Sequence, residues 1–127
     1  MREDYNVTIT SASRELTAKE KIRLKKATSN RVKIDEVTTP EADFIIESVD
    51  SYAVLGVHNE HAENKDYIVL VIESNGETFT TGSAAFTNSF IEICEDMEES
   101  DEPFGIVCHK IPSRNFKGKF ILTCNVY

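Results

Sequence analysis

The chain contains no tryptophan, and only three cysteines, three prolines and five glycines among 127 residues. No internal repeat or low-complexity tract is present. Cys94, Cys108 and Cys124 are an odd number with no CxxC pair, which argues against a disulfide framework and against a zinc knuckle. Each lies in an apolar stretch, where a free thiol serves as a small hydrophobe. No apolar run approaches the roughly 18 residues that a membrane-spanning helix needs. The opening Met1-Arg2-Glu3-Asp4-Tyr5 is charged and has no apolar signal core, so export is not expected. GxSxG, Walker A, GxGxxG and HExxH patterns are all missing. Cys108 and His109 are neighbours on one strand, where adjacent side chains point to opposite faces and make a poor nucleophile–base pair. The acids over 95–102 form a surface run and not a pocketed pair. His58 and His61, with Glu60 and Glu63, have an H-x2-H spacing but lack a convincing third metal ligand. An enzyme is therefore not expected, nor is a cofactor or a metal.

What is present is the composition of one globular domain. Hydrophobic residues make up 40% and charged residues 28%, the usage of a chain that buries a core without staples. The net charge of −8 alone speaks against nucleic acid, but the charge is segregated. Residues 1–33 hold nine basic and four acidic residues, residues 34–102 one lysine and eighteen acids, and residues 103–127 four basic residues and no acid. Two basic ends flank an acidic middle. If the ends converge, they make a positive surface that attracts a polyanion locally.

The pattern predicts a mostly β domain over 1–127. Residues 1–43 form an N-terminal extension, a strand over Tyr5–Thr10 followed by a basic helix from about Ala18 to Ala27. Thr17 and Glu20 have the spacing of a capping box, and Lys19, Lys21, Arg23, Lys25 and Lys26 surround a thin apolar stripe. Residues 28–43 read as a loop or a short strand around Val32–Ile34. Within the 44–127 core, Phe44-Ile45-Ile46 is a short apolar run that can lead a strand. Strands then follow over 51–58, 66–73 and 77–81, the second of them near-continuously apolar and so central. Asn75-Gly76 is a hairpin signal. Ser83 can cap a helix whose Phe86, Phe90, Ile93, Cys94 and Met97 make one apolar stripe. Strands over 104–111 and 119–126 close the chain.

From Ser51 onward the order is β-β-β-α-β-β. This is the order of an OB-like five-stranded barrel with a helix between its third and fourth strands, a fold that binds oligonucleotides on its strand 2–3 face and adjoining loops. A rival topology is an α+β sheet with two docked helices. On the OB mapping the first binding loop is Asn59 to Lys65, ending in the cation of Lys65. The second is Pro112 to Gly118, where Arg114, Asn115, Phe116, Lys117 and Lys119 follow Lys110. Cations neutralise phosphates, and an aromatic face stacks on a base. Tyr52, Tyr67 and Phe79 are candidate stacking platforms on the first three strands.

The stretch from Tyr52 to Val126 resembles small single-stranded DNA-binding proteins of bacteriophages and mobile elements of Gram-positive bacteria. The resemblance is carried by Tyr52-Ala53-Val54-Leu55, by Asp66-Tyr67 opening the long strand, and by Gly76-Glu77-Thr78-Phe79 leading through Thr81-Gly82-Ser83 into the helix. Pro112-Ser113-Arg114-Asn115-Phe116-Lys117-Gly118-Lys119 completes it. The resemblance implies an OB-like fold, sequence-independent and non-catalytic binding of single-stranded DNA (or RNA), and a role in replication or recombination. It also implies a homodimer or cooperative oligomer, replication-protein partners, and a place in the host cytoplasm away from membranes. Members commonly stack bases on tryptophan and recruit partners with a flexible acidic tail; this sequence has no tryptophan and finishes in a strand. Two other functions fit the charge pattern. One is an acidic DNA mimic or anti-defence inhibitor that binds a host protein; the other is an assembly protein. Convergence of the basic ends on one face favours DNA, and a continuous acidic face favours mimicry.

Overall fold

The computed structural model describes residues 5–25 and 31–127. The part of the basic helix expected to hold Lys26 and Ala27 lies outside these residues. Strand β1 is Tyr5–Ala12 and helix α1 Ala18–Lys25, followed by a short strand β2, Val32–Lys33, and a single turn α2, Ile34–Val37. Next come β3 (Phe44–Ile46), β4 (Ser51–Asn59), β5 (Asp66–Ser74), β6 (Glu77–Thr81), α3 (Ala84–Ser100), β7 (Ile106–Pro112) and β8 (Phe120–Val126).

Local signals account for most of these boundaries. The Thr17 hydroxyl accepts from the Glu20 amide at 3.2 Å, and Glu20 accepts from the Thr17 amide at 3.1 Å, which is the expected capping box. Glu20 also pairs with Arg14, and these bonds pull its carboxyl down to about 2. Ser83 caps α3 by accepting from the Phe86 amide at 3.1 Å. Asn75 and Gly76 take φ of 50° and 83° at the β5–β6 turn, the positive values that a two-residue hairpin requires.

The described residues are mostly β, with two sheets and no closed barrel. The larger sheet runs β1-β4-β5-β6-β2 and the smaller β3-β7-β8. The element order from β4 to β8 is the expected one, but the expected closure is not made. Closing a barrel needs free edges on β4 and β6. β1 covers β4 in an antiparallel ladder from Tyr5↔Asn59 to Ala12↔Ala53, and β2 covers β6 in parallel. Strands β7 and β8 therefore pair with each other and with β3, and pack as a separate sheet.

The larger sheet is buried on both faces, which is why β5 reads as a continuous apolar run. On one face Val54, Leu70, Ile72 and Phe79 meet Phe86 and Phe90 of α3, Ile34 of α2, and Ile46, Ile106, Cys108, Leu122 and Cys124 of the smaller sheet. On the other face Ala53, Leu55 and Val71 meet Leu24 of α1 with Val7, Ile9 and Leu16. Cys108 and Cys124 are buried cross-strand partners and Cys94 is half-buried; all three are free. Burial is the main cause that pushes each thiol up to about 12, so they pack and do not react readily. At Gly105 two backbone segments pass closely: a Cβ there would meet Glu47 O at 2.3 Å and Ile46 O at 2.5 Å.

Candidate nucleic-acid interface

The β7–β8 hairpin ends in a loop that holds its own shape. The Ser113 amide donates to Lys119 O at 2.9 Å, and the Lys119 amide to Phe116 O at 3.1 Å. The Phe116 amide donates to the Ser113 hydroxyl at 3.3 Å, and Gly118 takes φ 81°. With its backbone bonded inward, the loop turns its side chains outward. Phe116 is 63% exposed, far more than an aromatic kept for packing. Arg114, Asn115, Lys117 and Lys119 are exposed around it, and no ion pair among the described residues engages Arg114, Lys117 or Lys119. Cations and a ring on one ordered tip are what a phosphodiester strand with unstacked bases requires.

Lys110 has a different place. Its Nζ donates to Asp35 O of α2 at 2.7 Å, so it ties the hairpin stem to the body. Three apolar residues join the tip: Ile111 is 46% exposed, Phe120 49% and Ile121 38%. Phe120-Ile121-Leu122 is a run in which a period of two can bury only alternate residues. Leu122 is the buried one, so the rule accounts for Ile121 on the opposite face. Phe120 shares the face of Leu122 and is exposed because it pairs with Pro112 at the end of the ladder, beyond the core.

The remaining expected residues are not gathered at this tip. Lys65 pairs with Glu60 at 3.0 Å, and Glu60 with His58 Nε2 at 2.7 Å. His58 Nδ1 meets Asp66 at 2.7 Å. Both imidazole nitrogens thus face carboxylates, Asp66 first and Glu60 second, and they hold the His58 pKa above its usual value. The first loop is a closed chain of charges whose lysine is already occupied. Phe79, expected as a platform, is 6% exposed and packs 5.7 Å from Phe44; with both sheets closed over it, no ring face is left for a base. Tyr52 shares its cross-strand row through Ile72 and meets Phe90 edge-on at 5.2 Å. Tyr67 pairs with Val57, out of step with Tyr52 by an odd number of residues, and so stands on the opposite face. The three aromatics make no common platform, because the smaller sheet and α3 cover the face where two of them lie.

Helix α1 and the basic hairpin do not share a face. Helix α1 packs on one face of the larger sheet and the β7–β8 hairpin belongs to the layer on the other. Compared with protein families, curated proteins and solved structures, the chain gives no match.

Proposed function

We propose that the protein is a non-catalytic, sequence-independent binder of single-stranded nucleic acid, which grips the strand with the 113–119 loop. The observation that carries this is Phe116, 63% exposed on an internally bonded tip between cations without ion-pair partners. In this reading Arg114, Lys117 and Lys119 hold phosphates, Phe116 stacks on a base, and Ile111 and Phe120 widen the apolar surface beside it. The scaffold is an OB-like order opened at both edges of its meander, so the strand lies along the hairpin and not across β4–β6. A role in phage or mobile-element DNA replication or recombination in the host cytoplasm rests on the sequence resemblance. No helix among the described residues is long and apolar enough to cross a membrane.

The test is fluorescence anisotropy of a labelled oligo-dT of about 30 nucleotides at several salt concentrations. Salt-sensitive binding that exceeds duplex binding is expected. Replacing Arg114, Lys117 and Lys119 together with Ala should flatten the log–log salt slope by about two to three units, near one for each phosphate no longer neutralised. Phe116→Ala should cost roughly 1–3 kcal/mol of binding. Absence of binding at low salt would refute the proposal. It would favour a second reading, an acidic surface that occupies a nucleic-acid site on a partner protein. The observation behind that alternative is the exposed row Glu92, Glu95, Asp96, Glu98 and Glu99 along α3.

A further inference from the structure

A cavity of about 520 Å3 lies between the C-terminal half of α3 and the start of β4, and the hairpin does not use it. Tyr52, Met97 and Phe104 form the apolar part of a mixed lining, which also includes Ser13, Ser51 and the carboxylates of Asp50 and Asp101. The Tyr52 ring is fixed by its edge-on contact with Phe90. Glu95, Glu98 and Glu102 stand around the mouth, all exposed. Among the described residues no lysine, arginine or histidine lines the cavity, and no ion pair engages these carboxylates.

The walls and the mouth select one chemistry between them. The apolar, aromatic part of the wall, Tyr52 with Met97 and Phe104, retains aliphatic surface and attracts a cation through the ring quadrupole. A carboxylate rim without counter-ions attracts positive charge and repels anions. A cationic head on a methylene stem satisfies both, with the stem against the wall and the head at the rim. We propose that this cavity binds an alkylammonium group on an aliphatic stem, the chemistry of a polyamine or of a lysine side chain. The negative field reaches inside. Burial, then Cys94, Glu98 and Glu95, hold the Tyr52 phenol above its usual value. Burial, then Glu95 and Glu98, push the Cys94 thiol up to about 12. The site is independent of the nucleic-acid reading and shares no residue with the 113–119 loop.

The chain has two methionines, Met1 and Met97, so 13C-methyl labelling of methionine yields a two-signal NMR spectrum with one probe in the cavity wall. The full chain is titrated with spermidine, with acetylated tri-lysine amide, and with potassium chloride at matched ionic strength. Met97 should shift saturably with an amine ligand. The double variant Glu95→Gln/Glu98→Gln, both at exposed positions, should weaken the effect on the order of tenfold, the sum of two partly exposed ion pairs. Tighter binding of spermidine identifies a free polyamine as the ligand; tighter binding of the peptide identifies a protein lysine. A Met97 signal that moves with neither, that moves equally with potassium chloride, or that is insensitive to the double variant overturns the proposal.

Discussion

Thr38 is 1% exposed, and its hydroxyl finds no hydrogen-bond partner. A buried, unmade hydrogen bond costs about 1–3 kcal/mol, while the methyl half of the side chain packs normally. Thr38→Val keeps the shape and removes the orphaned group. It should raise stability by about 1 kcal/mol, read as a higher urea midpoint at unchanged slope; a lower midpoint would show that the hydroxyl is satisfied in solution. His58 titrates in the opposite sense to an acid. Its folded pKa is raised by Asp66 and Glu60, so its contribution is fully present below the unfolded value of about 6.5. That contribution fades as pH rises through the higher folded value. NMR titration of the ring should give a midpoint above 6.5, and Asp66→Asn should lower it. Phe116 was legible at this scale: an aromatic between cations in a Pro/Asn/Gly-rich turn has few other reasons to be there. Phe79 was not, because period two says only that alternate residues share a face, and not which face is covered.

At the scale of the element, signals that act within a few residues were readable, since their partners are close in the chain. The Thr17–Glu20 box, the Ser83 cap and the Asn75-Gly76 turn each join atoms at most three residues apart. The two-residue β2 exists only because β6 offers it an edge, and so its extent was not readable. Gly105 belongs to the same class: nothing nearby in sequence demands glycine, but the carbonyls of Ile46 and Glu47 pass where a Cβ would sit. Backbone atoms cannot swing aside as a side-chain end can. Gly105→Ala should therefore cost roughly 1–3 kcal/mol or more, measured by thermal unfolding. A neutral result would mean that β3 and β7 cross less closely in solution.

On the scale of the whole molecule, β1 decides the architecture. It supplies hydrogen bonds along the length of β4 and, with α1, the cover for Ala53, Leu55 and Val71. A chain lacking residues 1–25 would expose both that apolar face and an unpaired edge, a template for intermolecular pairing. It should aggregate or elute as oligomers in size exclusion at concentrations where the full chain does not. A monomeric, cooperatively folding truncation would show that the core closes without its extension. The charge distribution has its consequence here as well. The basic α1 and the basic hairpin lie on opposite sides of the larger sheet, so a strand held at the 113–119 loop is not extended onto α1 by a continuous positive track.

The sequence by itself determined the β-rich class, the order of elements from β4 to β8, the caps and turns, and the exposed basic tip around Phe116. All of these follow from propensities and side-chain periods that operate over a few residues. Only the tertiary structure decided that the sheet stays open, that Phe79 is core, that Lys65 and Lys110 are occupied, and that an acid-rimmed cavity forms over Tyr52. Each of these depends on which strand takes a free edge and which layer covers a face. Those outcomes are settled by hydrogen bonding and apolar burial between residues far apart in the chain, and no local pattern encodes them.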